Sequence, residues 1–277
     1  MDMLTRNKPY TGRVQAVILD WAGTAVDYGC IGPVAVFIEV FRNRGVEITS
    51  AEARVPMGLM KKDHIRVLCG METVSIRWEK IHGRLPNRGD VEAMYREAEP
   101  LMASMVAQYS TPIPGLLEAV ASLREQGVKV GSSTGYTRSM MEMLIPAAAK
   151  KGYRPDSIVC SSDVPAGRPY PWMCYQNAMN LQVFPFAAMV KIGDTVTDIH
   201  EGLNAGMWTI GVTKTGNEIG LTEEEVSAMD PENLRVKLEQ IEKRFRDFGA
   251  HFVIDSVEES PAIVEQINDH LARGERP

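Results

Sequence analysis

Val14-Gln15-Ala16-Val17-Ile18-Leu19-Asp20-Trp21-Ala22-Gly23-Thr24-Ala25-Val26-Asp27 is the stretch whose reading decides the fold. An apolar run stops abruptly at a carboxylate and gives way to small residues, the pattern of a buried parallel strand that delivers Asp20 to a loop. In open α/β sheets, ligands collect beyond the carboxyl ends of the strands, where such an Asp lies. Taken alone, Asp20 can also be read as the cap of a following helix. A second stretch narrows the choice. Met189-Val190-Lys191-Ile192 runs straight into Gly193-Asp194-Thr195, with Asp198 following. Two apolar runs that end in acidic loops suggest a metal site, because hard cations such as Mg2+ take oxygen ligands from one or two carboxylates plus substrate phosphate. Asp20 and Asp194 fit that role.

Working outward, residues 1–13 read as a short tail and Val14–Leu19 as the first strand. From Gly32 to Tyr109 no strand pattern occurs. Val34, Phe37, Val40 and Phe41 recur at helical spacing, and helices are predicted over 31–44, 50–55, 61–69, 73–82 and 90–109, with Thr49-x-x-Glu52 as a capping-box start. The breaker-rich Thr111-Pro112-Ile113-Pro114-Gly115 marks a return to α/β alternation. Helices over 116–126, 138–151, 171–181 and 197–205 alternate with strands over 128–132, 156–160, 189–192 and 209–212. Helices 222–228 and 232–247, strand 251–254 and helix 259–272 complete the chain. The rhythm predicts an α/β fold with a Rossmann-like parallel sheet and right-handed crossovers, interrupted by an inserted all-helical cap. The expected core is 1–28 with 110–277, and the expected cap is 29–109. Alternating charge along 232–247 reads as a solvated face.

A chain of 277 residues with 44% hydrophobic content can bury a large core. No apolar run approaches the roughly 20 residues that span a bilayer, and the first residues lack the apolar centre of a signal peptide, so a cytoplasmic protein is expected. A formal net charge of -6 argues against nucleic acid or an anionic membrane as partner. Cys30, Cys69, Cys160 and Cys174 form no close pair, and reduced, buried thiols are expected. His82, His200, His251 and His270 show no metal-ligand spacing.

These residues resemble the haloacid dehalogenase superfamily, whose members carry a nucleophilic Asp after the first strand and a Gly-Asp-x-x-x-Asp loop after the fourth. Asp20-Trp21-Ala22-Gly23-Thr24, Gly58-Leu59-Met60-Lys61, Ser133-Thr134-Gly135-Tyr136 and Gly167-Arg168-Pro169-Tyr170-Pro171-Trp172 resemble, in order over nearly the whole chain, the phosphonoacetaldehyde hydrolase family within it. The resemblance implies Asp20 as nucleophile, and Mg2+ held by Asp20, the backbone carbonyl of Ala22 and Asp194, with Asp198 supporting the loop. It implies Thr134, Gly135 and Arg168 as phosphoryl-binding residues, Arg168 standing where most members have Lys. Cys30, Met57 and Tyr136 fall in matching segments and are candidates to line the pocket. A homodimer through the cap, with helix 31–44 a candidate contact, is a further implication.

Position 22 carries the argument about chemistry. Ordinary phosphatases of this superfamily place an Asp two residues after the nucleophile to protonate an oxygen leaving group. Here it is Ala22, which fits either a dead loop or a leaving group that is carbon. Carbon leaves phosphorus badly unless a neighbouring carbonyl takes up the electrons, and an amine improves that sink by forming an iminium. Residues alone do not choose between Lys61 and Lys62, which point about 100° apart on a helix; the resemblance implies Lys61 as the Schiff-base residue. His64, three residues on, shares its helical face and is positioned to shuttle protons. An unperturbed lysine is only about one part in a thousand neutral at pH 7, so burial or a nearby cation must lower its pKa. The resemblance, with Ala22 and Lys61, implies cleavage of phosphonoacetaldehyde to acetaldehyde and phosphate. An ordinary phosphatase or dehalogenase, or a non-catalytic relative, are the alternatives; Ala22 with the Gly58-Leu59-Met60-Lys61 segment tells against the first, and the intact Asp20, Thr134, Arg168, Asp194 and Asp198 against the second.

Overall fold

The computed structural model describes residues 9–277, so the first eight residues of the expected tail lie outside the described part. The first strand, β1 (Ala16–Leu19), has all four side chains inaccessible to solvent. Val17 and Leu19 enter the larger apolar cluster on one face of the sheet, and Ala16 and Ile18 enter a second cluster on the other. Burial on both faces explains why its sequence is continuously apolar rather than alternating.

Five helices follow in the inserted segment: α1 (Ile31–Arg42), α2 (Ser50–Arg54), α3 (Lys61–Gly70), α4 (Glu72–His82) and α5 (Arg88–Met105). Phe37, Phe41, Ile65, Leu68, Trp78, Met94 and Met102 are buried in this helical insertion. The Thr49–Glu52 box forms as expected: Thr49 Oγ1 accepts from the Glu52 amide at 3.1 Å, and the Glu52 carboxylate accepts from the Thr49 amide at 2.8 Å. The chain then alternates through α6 (Leu116–Glu125), β2 (Lys129–Thr134), α7 (Arg138–Lys150), β3 (Ser157–Cys160), α8 (Trp172–Leu181), β4 (Met189–Gly193), α9 (Val196–Ala205) and β5 (Trp208–Val212). It closes with α10 (Glu223–Ala228), α11 (Pro231–Asp247), β6 (Phe252–Ile254) and α12 (Ser260–Ala272).

The six strands form one parallel sheet in the order β3-β2-β1-β4-β5-β6. This is a Rossmann-like core with a helical cap inserted after β1, as expected. Element ends shift by a few residues in places; β2 runs to Thr134, two residues beyond the sequence reading, because its polar end is buried and paired. Ser132 Oγ accepts from Trp21 Nε1 at 2.8 Å, and Ser133 Oγ donates to Glu201 at 3.0 Å. Ion pairs within α11 stay at the surface, and only Ile241 and Phe245 of that helix are buried. All four cysteines are free and buried. No described helix is long and apolar enough to cross a membrane.

Candidate active site

Strand order reverses between β1 and β4, and a crevice at the carboxyl ends of the strands is the usual ligand site at such a switch point. Asp20 and Asp194 leave those two strands side by side. The Asp20 amide still donates to Ile192 O at 2.9 Å, so strand pairing holds the backbone up to the carboxylate. The chain then folds tightly over Trp21, whose carbonyl accepts from the amides of Thr24, Ala25 and Val26. Gly23 has φ +84°, and a Cβ there would fall 2.2 Å from Asp194 Oδ2, so both conformation and space demand glycine. Asp194 is fixed at both oxygens, Oδ1 accepting from Thr24 Oγ1 at 3.2 Å and Oδ2 from the Asn217 amide at 2.7 Å.

Oxygens of Asp20, Asp194 and Asp198, all buried, lie within 4.8 Å of one another. Burial, together with the neighbouring Asp20 and Asp198 charges, pushes the Asp194 carboxyl well above the usual carboxylate range. A bound cation would offset this repulsion, and the all-oxygen donor set suits a hard divalent ion. The charge count agrees. Four buried carboxylates (Asp20, Asp194, Asp198, Glu201) face two buried cations (Arg168, Lys191), leaving two negative charges. Asp198 is engaged elsewhere: Lys191 Nζ lies 2.7 Å and Arg168 Nη2 3.1 Å from Oδ1, while Oδ2 accepts from Thr195 Oγ1 at 2.5 Å at the start of α9. Burial opposes its charge, yet Arg168 and Lys191 hold its pKa below the ordinary value.

Arg168 is the hub. Its Nη2 donates to Asp20 Oδ1 at 2.7 Å, to Ser133 O at 2.9 Å and to Ser133 Oγ at 3.0 Å, and its Nε donates to Glu201 Oε2 at 2.9 Å. Burial disfavours its charge, but Asp198, Asp20 and Glu201 raise its pKa well above normal, so it is permanently cationic. Thr134 ends β2 with its hydroxyl accepting from the Tyr136 amide at 3.1 Å, which leaves the hydroxyl proton free to donate.

The cap closes over this floor through the loop before α3. A Cβ on Gly58 would fall 2.1 Å from Thr197 Oγ1, and Gly58 has φ +88°. Thr197 Oγ1 donates to Met57 O at 3.3 Å, and the Gly167 amide donates to Met60 Sδ at 3.2 Å. Lys61 opens α3 and is 5% exposed, with Nζ 4.7 Å from the Tyr136 ring centroid and 5.8 Å from that of Phe37. Burial lowers its pKa; Cys30 and Asp20 oppose this, and Arg168 adds a smaller lowering effect of its own. Lys62 turns outward to pair with Glu92. His64 is fully buried, stacked on Phe37 with centroids 3.7 Å apart, and its Nε2 lies 2.9 Å from Ala53 O. A carbonyl only accepts, so Nε2 carries the proton and Nδ1 is a bare lone pair, one with no partner among the described residues. Burial, and then Lys61, push the His64 pKa well down, so the ring is neutral. The cavity lined by Asp20, Lys61, Thr134, Arg168 and Asp194 measures about 20 Å³, room for about one water.

A sequence model of the haloacid dehalogenase-like hydrolases matches residues 14–206. A phosphonoacetaldehyde hydrolase-like protein of Syntrophobacter fumaroxidans is 61% identical over 277 residues, covering 100% of both chains, and a phosphonoacetaldehyde hydrolase of the same organism is 58% identical over the same span. The crystal structure of a phosphonoacetaldehyde hydrolase-like protein from Oleispira antarctica is 42% identical, with a TM-score of 0.96, covering 99% of this chain and 100% of that one. The chain belongs to the phosphonoacetaldehyde hydrolase family of haloacid dehalogenase-like hydrolases.

In this family member the fold brings the expected residues to one point. Asp20, Ala22, Cys30, Met57, Lys61, Thr134, Gly135, Tyr136, Arg168 and Asp194 all border the cavity. His64 and Asp198 stand behind it, on Lys61's helix and beside Arg168. Burial raises the pKa of both the Cys30 thiol and the Tyr136 phenol well above normal, so both are neutral. Ser133, Lys191 and Glu201 were missed by the sequence reading. A signal existed: Lys191 is a lysine in the middle of an apolar strand, and Glu201 follows Asp198 at helical spacing of three.

Proposed function

We propose that this enzyme hydrolyses the carbon–phosphorus bond of phosphonoacetaldehyde, giving acetaldehyde and phosphate, in the cytosol and within the breakdown of 2-aminoethylphosphonate. One observation carries the reading: a buried lysine with no carboxylate partner among the described residues, its pKa lowered by burial, faces the cavity of a nucleophilic aspartate whose loop has alanine where a phosphatase has its acid. In this reading residues 1–28 and 110–277 form the core and 29–109 the cap; an isolated bridge between Val26 and Pro112 brings the two chain crossings side by side.

The neutral amine of Lys61 adds to the substrate aldehyde and loses water to form a protonated Schiff base. His64 Nδ1 accepts the proton that the lysine must first release and returns it as water leaves, so that the Schiff base is protonated. Asp20 attacks phosphorus, the phosphorus–carbon bond breaks, and its electron pair passes into the iminium to give an enamine and an aspartyl phosphate. Arg168 and Thr134 hold phosphoryl oxygens in line with Asp20. Protonation of the enamine carbon and hydrolysis of the imine release acetaldehyde and free Lys61; water cleaves the aspartyl phosphate. Cys30, Met57 and Tyr136 wall the pocket, and Gly135 lets the cap loop approach. Mg2+ would be held by Asp20, the Ala22 carbonyl and Asp194, with Asp198 supporting their loop, and when bound would neutralise the phosphonate's charge.

A homodimer through the cap belongs to the same proposal. Since α1 buries its apolar side in its own bundle, the contact would use exposed cap residues such as Val67, Ile76 and Ile81 rather than the helix 31–44 stripe; a monomer in sedimentation at micromolar concentration would remove it. The function itself is tested by phosphate release from phosphonoacetaldehyde, with a phosphate monoester as control, in wild type and Asp20→Ala, with and without chelator. Activity on the phosphonate only, lost in Asp20→Ala and in chelator and restored by Mg2+, is expected. Monoester turnover without phosphonate cleavage would mean an ordinary phosphatase.

A further inference from the structure

We propose that Glu201 and Lys191 are positioning residues that aim the Arg168 guanidinium at the reacting phosphoryl group, a reading that rests on the function proposed above. Both side chains are wholly buried and border neither the cavity nor solvent. Glu201 Oε2 takes the Arg168 Nε proton at 2.9 Å and the Ser133 hydroxyl at 3.0 Å, and Lys191 Nζ sits 3.5 Å from the same oxygen and 2.7 Å from Asp198 Oδ1.

The reason lies in the shape of arginine. A lysine is a point charge that needs only nearby acceptors, whereas a guanidinium is a planar fork whose direction is set by which of its nitrogens are held. Glu201 on Nε, with Asp20 and Ser133 on Nη2, fixes two of the three nitrogens and so fixes the plane. Nη1 has no hydrogen bond among the described residues, and Arg168 borders the cavity, so Nη1 is the donor left for a phosphoryl oxygen. Lys191 lets two carboxylates approach one arginine, since Asp198 and Glu201 would otherwise repel across it. Burying four such charges is a poor way to gain stability, because desolvation offsets most of the attraction. Orientation gives the cluster a purpose that stability does not.

The test is a double-mutant cycle of Glu201→Gln with Arg168→Lys, read by kcat/KM on phosphonoacetaldehyde and by calorimetric binding of inorganic phosphate in Mg2+. In the wild-type background Glu201→Gln should lower kcat/KM about 10–100-fold, the range typical of residues that orient a site's direct ligands, and weaken phosphate binding about tenfold. With Lys at 168 the same change should alter either quantity by less than about threefold, since there is no fork left to aim. Equal losses in both backgrounds, or wild-type activity and phosphate affinity in Glu201→Gln, would overturn the proposal. If Glu201→Gln does not fold, Glu201→Asp keeps the charge beside Lys191 but not the reach to Nε, and takes its place in the cycle. Should wild type leave phosphonoacetaldehyde intact, the functional reading fails, while the phosphate-binding cycle still decides the role of Glu201.

Discussion

Gly58→Ala isolates cap closure from chemistry, because Gly58 touches the core without belonging to the reacting groups. The added methyl would lie 2.1 Å from Thr197 Oγ1 and 2.7 Å from Thr195 Oγ1. Ordinary contact needs about 3.5 Å, so the loop must retreat by more than about 1 Å. Neither hydroxyl can turn aside freely: they bond each other at 2.9 Å, and Thr195 also bonds Asp198. The positive φ of +88° adds about 1–3 kcal/mol of backbone strain. A cap that stays slightly ajar relieves the clash, so the melting temperature should fall by less than about 10 °C. Lys61 begins three residues later and rides on the same loop. Its displacement by about 1 Å relative to Asp20 should lower kcat/KM about 100-fold, measured by acetaldehyde formation coupled to a reductase. Activity within about threefold of wild type would refute the idea that this contact sets the working distance between cap and core.

Asp27 supplies a pH test of stability. Its carboxylate accepts from the Ile31 and Gly32 amides at the start of α1, yet burial raises its pKa to about 7 from 3.8. The folded state then holds a proton that the unfolded state has released, so this group favours folding below about pH 4 and loses that contribution as pH rises towards 7. Asp27→Asn should remove that slope, so the wild-type minus variant stability should fall between pH 4 and 7 in denaturant titrations; a pH-independent difference would show that the group is ionised throughout. Lys62→Ala, which breaks only a surface pair with Glu92, should change stability by less than about 0.5 kcal/mol and leave turnover near wild type. A large loss of activity in that variant would mean that the adjacent lysine had been misassigned.

The sequence made some of this site plain and hid the rest for physical reasons. A strand buried on both faces must be continuously apolar, so β1 and β4 and the aspartates behind them stand out. Ala22 is legible as an absence, since the chemistry of oxygen leaving groups predicts an acid there. The choice between Lys61 and Lys62 is not legible in local pattern, because their difference is a tertiary one: Phe37 and Tyr136 enclose the first, Glu92 receives the second. The end of β2 reads as a loop because Ser133 and Thr134 are polar; Glu201, the partner of the Ser133 hydroxyl, comes from a distant segment. The tautomer of His64 is fixed by Ala53 O, a backbone atom that no side-chain pattern reports. The cap stripe of α1 was readable as apolar, but which surface it meets depends on α3 and α5 folding against it.

Lys61 as the imine-forming residue is tested most directly by trapping. Wild-type enzyme turning over phosphonoacetaldehyde is treated with borohydride, and the adduct is located by peptide mapping and mass spectrometry. A single substrate-dependent secondary amine at Lys61, appearing as activity is lost and absent in Lys61→Arg, is the expected result. Full activity after borohydride, or trapping only at Lys62 and surface lysines, would contradict the assignment of Lys61.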